Sequence, residues 1–410
     1  MKKQAILFLG VLTVFFSCAK EQKKKSTEEV NAVLTLALRS GTYASVIESC
    51  LPEFEEKYNV SCTILKLGED ELHSRITSDS ANEKGSYDFC MVDGSWMAEY
   101  TSKGVLANLS ELGYSLDDDI IPATTSICYE NGNLYLAPYY GNVTVLLYNR
   151  LMIKEAGYTP ETITSIEDIQ EICSFAKKRH NLGFMYRGDT DNNIVVDFLP
   201  ILLSYGGWVV DSKNNPTIDT VIFKKAMDSY LSLIKTGRAA SKDDLIAAIS
   251  NKAAAMGIGW PGWYTPTRNS SMDYFALTGK ANAYSTAYNA NIYGVWTIGI
   301  PENSQNKEYA IKLLEFLMES ERQKSTVQKG GVPCRYSSLR DKEILEKFPQ
   351  YEVVCQALES GVYRPVMEEW SDFYSILGKE MRFIIQGEKS VEDGLKSAQE
   401  KLESLLSKGK

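Results

Sequence analysis

Trp260-Pro261-Gly262-Trp263-Tyr264 places three large aromatics within five residues, on a stretch punctuated by Gly and Pro. Rings of that size are costly to leave bare on a monomer, so they either pack under a neighbouring loop or face a ligand. Trp and Tyr offer a flat apolar face and one polar tip, which suits an amphipathic small molecule. A second set of polar groups, Arg39, Ser40, Tyr43, Glu69, Asp70, Asp93 and Ser95 with Trp96, follows apolar runs that read as strands. The chemistry these sets support is recognition. Hydrolysis or elimination needs paired carboxylates or a His/Tyr base in one cleft. The chain has only His73 and His180, in ordinary helical or loop contexts, and no nucleophile-elbow or metal motif.

Beyond Cys18 the cysteines are Cys50, Cys62, Cys90, Cys128, Cys173, Cys334 and Cys355. None forms a CxxC or a Cys/His cluster, so neither a zinc site nor any other metal or cofactor is expected. Their number is odd, so at least one is unpaired. Most sit in apolar runs, where a thiol behaves as a small core residue. Cys50 with Cys62 is the pair that would join a helix to the next strand.

Elements must place these groups. Residues 30–39 form an apolar first strand, and Ser40-Gly41-Thr42 turns the chain, with Thr42 as N-cap of a helix to Tyr58. Strands over 60–67 and 87–92 alternate with helices over 72–82 and 96–102. That alternation predicts a mostly parallel sheet covered on both sides, with ligands at the carboxyl ends of the strands. The stretch 131–150 is the pivot of the chain. A turn at Asn131-Gly132-Asn133 leads into a strand over 134–136 that stops at Pro138. Gly141-Asn142 breaks the pattern, and 143–148 is apolar on both faces. This is where the chain crosses from one domain to another; an ordinary hairpin within one domain is the other reading. Helices follow over 164–180, 194–204, 220–236 and 243–250, then a small-residue strand ending at Trp260. A strand over 295–300, a helix over 306–325 and a helical last third complete the chain.

The length of 410 residues is enough for two domains with cores of their own. A formal net charge of -9 gives no electrostatic support to nucleic-acid binding. Lys2-Lys3 followed by an apolar run from Ala5 to Phe16 is the pattern of an export leader, too short to span a membrane. Loss of residues 1–17 removes Lys2 and Lys3 and takes the charge from -9 to -11. Ser17-Cys18 resembles a bacterial lipobox, in which Cys18 becomes the lipidated N-terminus; Phe15-Phe16 departs from its usual residues. Residues 18–29, polar and charged, read as a flexible tether.

The chain resembles the extracellular solute-binding proteins of ABC importers, sugar-binding class, over 30–405. Tyr87-Asp88-Phe89 to Leu109 matches that family's strand, acidic loop and G-x-L-x-x-L segment. Leu134-Tyr135-Leu136-Ala137-Pro138 with Leu147-Tyr148-Asn149-Arg150 and Ala156-Gly157 is similar to its hinge motif, with Arg150 where lysine is usual. Lys252-Ala253-Ala254-Ala255-Met256 through Trp260 resembles its small-residue strand. Trp296-Thr297-Ile298-Gly299-Ile300 and Gly331-Val332-Pro333-Cys334-Arg335 resemble its last block. Ser165-Ile166-Glu167 lacks the tryptophan usual at that helix start.

The resemblance implies two α/β lobes, each a mostly parallel sheet flanked by helices, with a ligand cleft between them. Lobe one is expected over 30–137 plus 290–336 and lobe two over 138–289 plus 337–410. It implies a monomer that is no enzyme, carries a sugar to a membrane permease and its ATPase, and is held at the cell exterior or periplasm by its lipid. Asp93 becomes the leading hydroxyl acceptor, with N-capping of the following helix as its alternative. Trp260, Trp263 and Tyr374 become stacking rings, with Trp370 able to replace Tyr374, and Arg335 an arginine reaching the cleft. Ser40, Tyr43, Glu69 and Tyr139 join them by position. A polyamine, a peptide or another polar solute, and an exported carbohydrate-active enzyme, are the competing readings; an iron receptor would need tyrosines at a spacing nothing here singles out.

Overall fold

The computed structural model describes residues 30–264, 269–277 and 290–407. The leader, Cys18 and the tether lie outside the described residues. Two five-stranded sheets organise the rest. The first runs in the order Val60–Leu67, Ala32–Arg39, Phe89–Asp93, Trp296–Gly299, Ala137–Tyr140. The second runs Met272–Phe275, Val145–Asn149, Met256–Gly259, Phe184–Tyr186, Arg238–Ala239. Both are mixed rather than mostly parallel. The strand that enters each sheet from the other lobe runs against its neighbours: Trp296–Gly299 in the first, Val145–Asn149 in the second. Strands built within a lobe, such as Ala32–Arg39 beside Val60–Leu67, pair in parallel through helical connections.

The chain passes between the sheets at 141–144, 291–294 and 361–364. These segments pair with one another. Thr144 N donates to Ile292 O at 2.9 Å, Gly294 N to Asn142 O at 2.9 Å, and Tyr293 N to Val362 O at 2.9 Å. Val143 bridges Tyr293 antiparallel and Ile292 bridges Val362 in parallel. The first crossing falls inside the expected pivot, but the expected lobe boundaries move. The break expected after Ala137 lies inside the edge strand Ala137–Tyr140, which runs through Pro138 because a sheet edge does not need its missing N–H. The break expected after 336 is early: Leu339, Ile344, Tyr351, Val354 and Leu358 pack into the first lobe's core with Phe316 and Leu317. The helices Trp370–Ile385 and Val391–Ser407 belong to the second core.

Local chemistry explains other departures. The helix expected over 42–58 is two, Thr42–Glu48 and Leu51–Tyr58, with Pro52 in the first turn of the second, where its missing N–H costs nothing. Thr42 is the first helical residue, and Gly41 at φ 89° makes the turn before it. The helix expected over 306–325 breaks at Glu319, whose ψ of 132° is not helical. Cys50 and Cys62 are both free, which corrects the disulfide considered above; the Cys50 thiol instead points back to Val46 O at 3.5 Å.

Candidate ligand-binding site between the lobes

Three parallel strands of the first sheet end side by side, and each delivers a polar group where the chain turns. Arg39 closes Ala32–Arg39, Glu69 opens the helix after Val60–Leu67, and Asp93 closes Phe89–Asp93. All three line a cavity of ≈ 240 Å³, with Tyr43 and Trp296 beside them. The crossings contribute Asn142, Gly294 and Arg364. The second lobe contributes Arg187, which follows Phe184–Tyr186, the first turn of the helix Asp191–Ser204 through Asn192 and Asn193, and Lys242, Trp260 and Trp263. Walls from both lobes and floor from the crossings make a chamber between the lobes.

Asp93 is 3 % exposed. Its Oδ1 accepts from Ser95 N at 2.9 Å and Ser95 Oγ at 2.7 Å, capping the short turn Gly94–Trp96. Arg364 Nη2 then donates to both carboxylate oxygens. The capping alternative is therefore realised, and the same residue still faces the cavity. Burial works against the Arg364 charge, but Asp93 and Glu69 outweigh it and hold its pKa above the ordinary value. Glu69 moves the other way: burial, then the neighbouring Asp93, pushes its carboxyl above the usual range, against Arg364 and Arg39. Its Oε1 faces Asn192 Nδ2 at 3.5 Å across the lobes.

The rings are held from several sides. Trp296 pairs in register with Asp93, stands edge-on to Trp96 at 5.6 Å and tilts against Tyr43 at 5.7 Å. Trp260 lies over Gly294 so closely that a Cβ there would meet ring carbons at 2.7 Å. Trp263 carries the Arg187 guanidinium 5.0 Å from its ring centroid. Arg187 itself is anchored, its Nε donating to Asp197 Oδ1 at 3.0 Å and its Nη1 to Asn193 Oδ1 at 2.8 Å. Asn142 is buried; its Nδ2 donates to Tyr43 OH at 3.0 Å while its Oδ1 has no partner. Asn142 lines the chamber, so this unanswered buried acceptor lies at the hinge beside the site.

Tyr43, Glu69, Asp93, Trp260 and Trp263 are thus brought together as expected by position. The other expected residues are elsewhere. Arg335 is buried in the first lobe, its Nη1 on Asp117 at 2.7 Å and Asp119 at 3.1 Å and its Nη2 on Met318 O at 2.8 Å, and it does not line the cavity. Tyr139 faces the first lobe's core, while its neighbour Tyr140 is the one that meets Tyr43, at 4.6 Å. Trp370 is packed on Phe373 within the second core. Tyr374 leans on Trp370 and is not among the lining residues, yet it feels the charges of Glu69, Arg364 and Asp93; burial first, then Glu69, pushes its phenol up to about 12. Ser40 stands one step back and accepts from Arg39 Nη1 at 2.9 Å. Sequence reasoning missed Arg364, Asn142, Arg187 and Lys242, and had noted Trp296 only as part of a strand.

Two α/β lobes, three paired crossings and a polar, ring-lined chamber where they meet define a solute-binding protein. The chain belongs to the bacterial extracellular solute-binding proteins, whose family profile matches residues 39–324. A probable amino-acid ABC transporter periplasmic-binding protein of Sinorhizobium fredii is 22% identical, covering 98% of this chain and 96% of its own length. The arabinooligosaccharide-binding protein of Bacillus subtilis is 22% identical, covering 85% and 84%. Among solved structures, an ABC transporter solute-binding protein of Agrobacterium radiobacter in complex with ribitol superposes with a TM-score of 0.81 at 20% identity, covering 92% of this chain and 99% of that one. Maltose-bound MalE3 of T. maritima superposes at 0.79 and 21%, covering 91% and 100%. No helix among the described residues is long and apolar enough to cross a membrane.

Proposed function

We propose that this chain captures a carbohydrate or polyol outside the cell by hinge closure and hands it to the permease of an ABC importer. The observation that carries the reading is the chamber wall: Trp260, Trp263 and Trp296 beside Asp93, Glu69 and Asn142. A sugar has apolar C–H faces and a rim of hydroxyls. Rings take the faces, each adding roughly 0.5–1.5 kcal/mol beyond area, and carboxylates and amides take the rim. An analogue lacking one hydroxyl leaves a buried polar group unpaired, at about 1–3 kcal/mol. Relatives named for arabinooligosaccharide and mannitol binding support the ligand class. Closure follows from the guest's differential affinity for the shut form. Binding without turnover is the activity proposed, with a monomer delivering the solute.

Cys18, behind the apolar run 5–16, is proposed as the lipid-bearing residue that tethers the receptor to the membrane surface. Radiolabelled fatty acid incorporated by the parent and not by Cys18→Ala tests this. Native mass spectrometry of freshly purified protein, followed by isothermal titration of the released solute, tests the ligand class. A sugar or polyol is the expected result. A second reading, an amino acid, draws on the name of the Sinorhizobium relative; a released amino acid would establish it instead.

A further inference from the structure

The geometry points to an acidic guest: we infer that the solute is a carboxylate-bearing sugar, a uronate of one or two rings, seated with its carboxylate toward Arg39 and Lys242. This rests on the sugar-receptor reading above and narrows it. The carrying observation is an imbalance in how the cavity's charges are answered. Four cationic residues line it, Arg39, Arg187, Arg364 and Lys242. Arg187 is ion-paired with Asp197 and Arg364 with Asp93. Arg39 has no ion pair; its one side-chain hydrogen bond goes to the neutral hydroxyl of Ser40, and its buried Nε has no partner. Lys242 has neither ion pair nor hydrogen bond among the described residues.

The carboxylates of the wall do not answer Arg39 or Lys242 with a hydrogen bond. Asp93 is taken by Arg364 and Ser95. Asp189 accepts from Asn193 Nδ2 at 2.8 Å. Glu69 faces Asn192 and makes no hydrogen bond to Arg39 or Lys242. A guanidinium with a buried, unsatisfied N–H is costly, and a carboxylate is the group that takes two of its N–H donors side by side. Arg39 Cζ lies 5.9 Å from the Tyr43 ring centroid and 5.8 Å from that of Trp296, so the guanidinium rests beside this ring pair. The volume of ≈ 240 Å³ falls just below the roughly 300–1,000 Å³ of small-molecule sites, which suits a small guest.

Isothermal titration of the full chain with D-glucuronate, D-galacturonate and digalacturonate, against D-glucose, D-galactose and maltose, tests the inference. At least one acid should bind about tenfold or more tighter than every neutral sugar, and rising salt should shrink that preference. Arg39→Gln should abolish the preference and Arg39→Lys retain part of it. Lys242→Gln, at an exposed helix start, should fold normally and reduce it. Neutral sugars binding as tightly as the acids would overturn the inference and leave the sugar receptor standing. Failure of all six ligands, with an amino acid binding instead, would overturn both. A preference that survives both Arg39→Gln and Lys242→Gln would also overturn it.

Discussion

One nitrogen of Arg364, Nη2, lies 2.6 Å from Oδ1 and 2.8 Å from Oδ2 of Asp93. Arg364 sits on the third chain crossing and Asp93 at a strand end of the first lobe, so this contact fixes the cavity floor to its wall. Both partners are nearly fully buried. Breaking such a pair from one side leaves a buried charge unanswered, at about 3–5 kcal/mol. Arg364→Gln should therefore lower unfolding free energy by that order in a urea titration. Arg364→Leu with Asp93→Leu should recover at least half of the loss while solute binding stays weak. Equal damage in single and double variants would show that the pair is not the origin.

Gly294 has no room for a side chain because Trp260 rests on it. Gly294→Ala pushes the ring toward the guest, and overpacking of this kind costs typically 1–3 kcal/mol. The prediction is an affinity loss of roughly five- to hundredfold by titration, with an unchanged far-ultraviolet spectrum. Undiminished affinity would mean that the ring yields without touching the ligand.

Glu69 gives the site a pH signature. Its folded pKa is raised, so between the ordinary value and the raised one the folded chain binds more proton than the unfolded chain. Its contribution to stability is fully present below the ordinary carboxylate range and is lost as pH rises through the raised value. Melting temperature measured across that window should fall more for the parent than for Glu69→Gln. At neutral pH the variant should be at least as stable as the parent. Parallel curves would assign the carboxyl an ordinary titration.

How much of this was legible in the sequence follows from what is local. Arg39, Glu69 and Asp93 are each announced by an apolar run ending in a polar turn, and parallel pairing then puts the three ends together. Trp260 and Trp263 are announced by Pro261-Gly262. The pivot at 141–144 shows as a break in an apolar pattern. Arg364 shows nothing: it precedes Pro365 in the short irregular stretch Val362-Tyr363-Arg364-Pro365-Val366, and its partner is far off in sequence. Arg335 was misread because its turn is recognisable while its acceptors, Asp117 and Asp119, sit on a separate loop. Tyr139 was misread by one residue. Strand side chains alternate, and the bulge between Trp296 and Thr297 shifts the pairing of its neighbour strand. Asn142 is visible as a turn residue, but its unanswered oxygen depends on how the crossings pair.

The most direct test takes the solute identified by native mass spectrometry and titrates it into Asp93→Ala and Trp260→Ala. Affinity at least about tenfold weaker in each variant, with circular dichroism still that of a folded α/β protein, is the result predicted. Affinity unchanged in both would contradict the account, because the solute would then bind somewhere other than the chamber between the lobes.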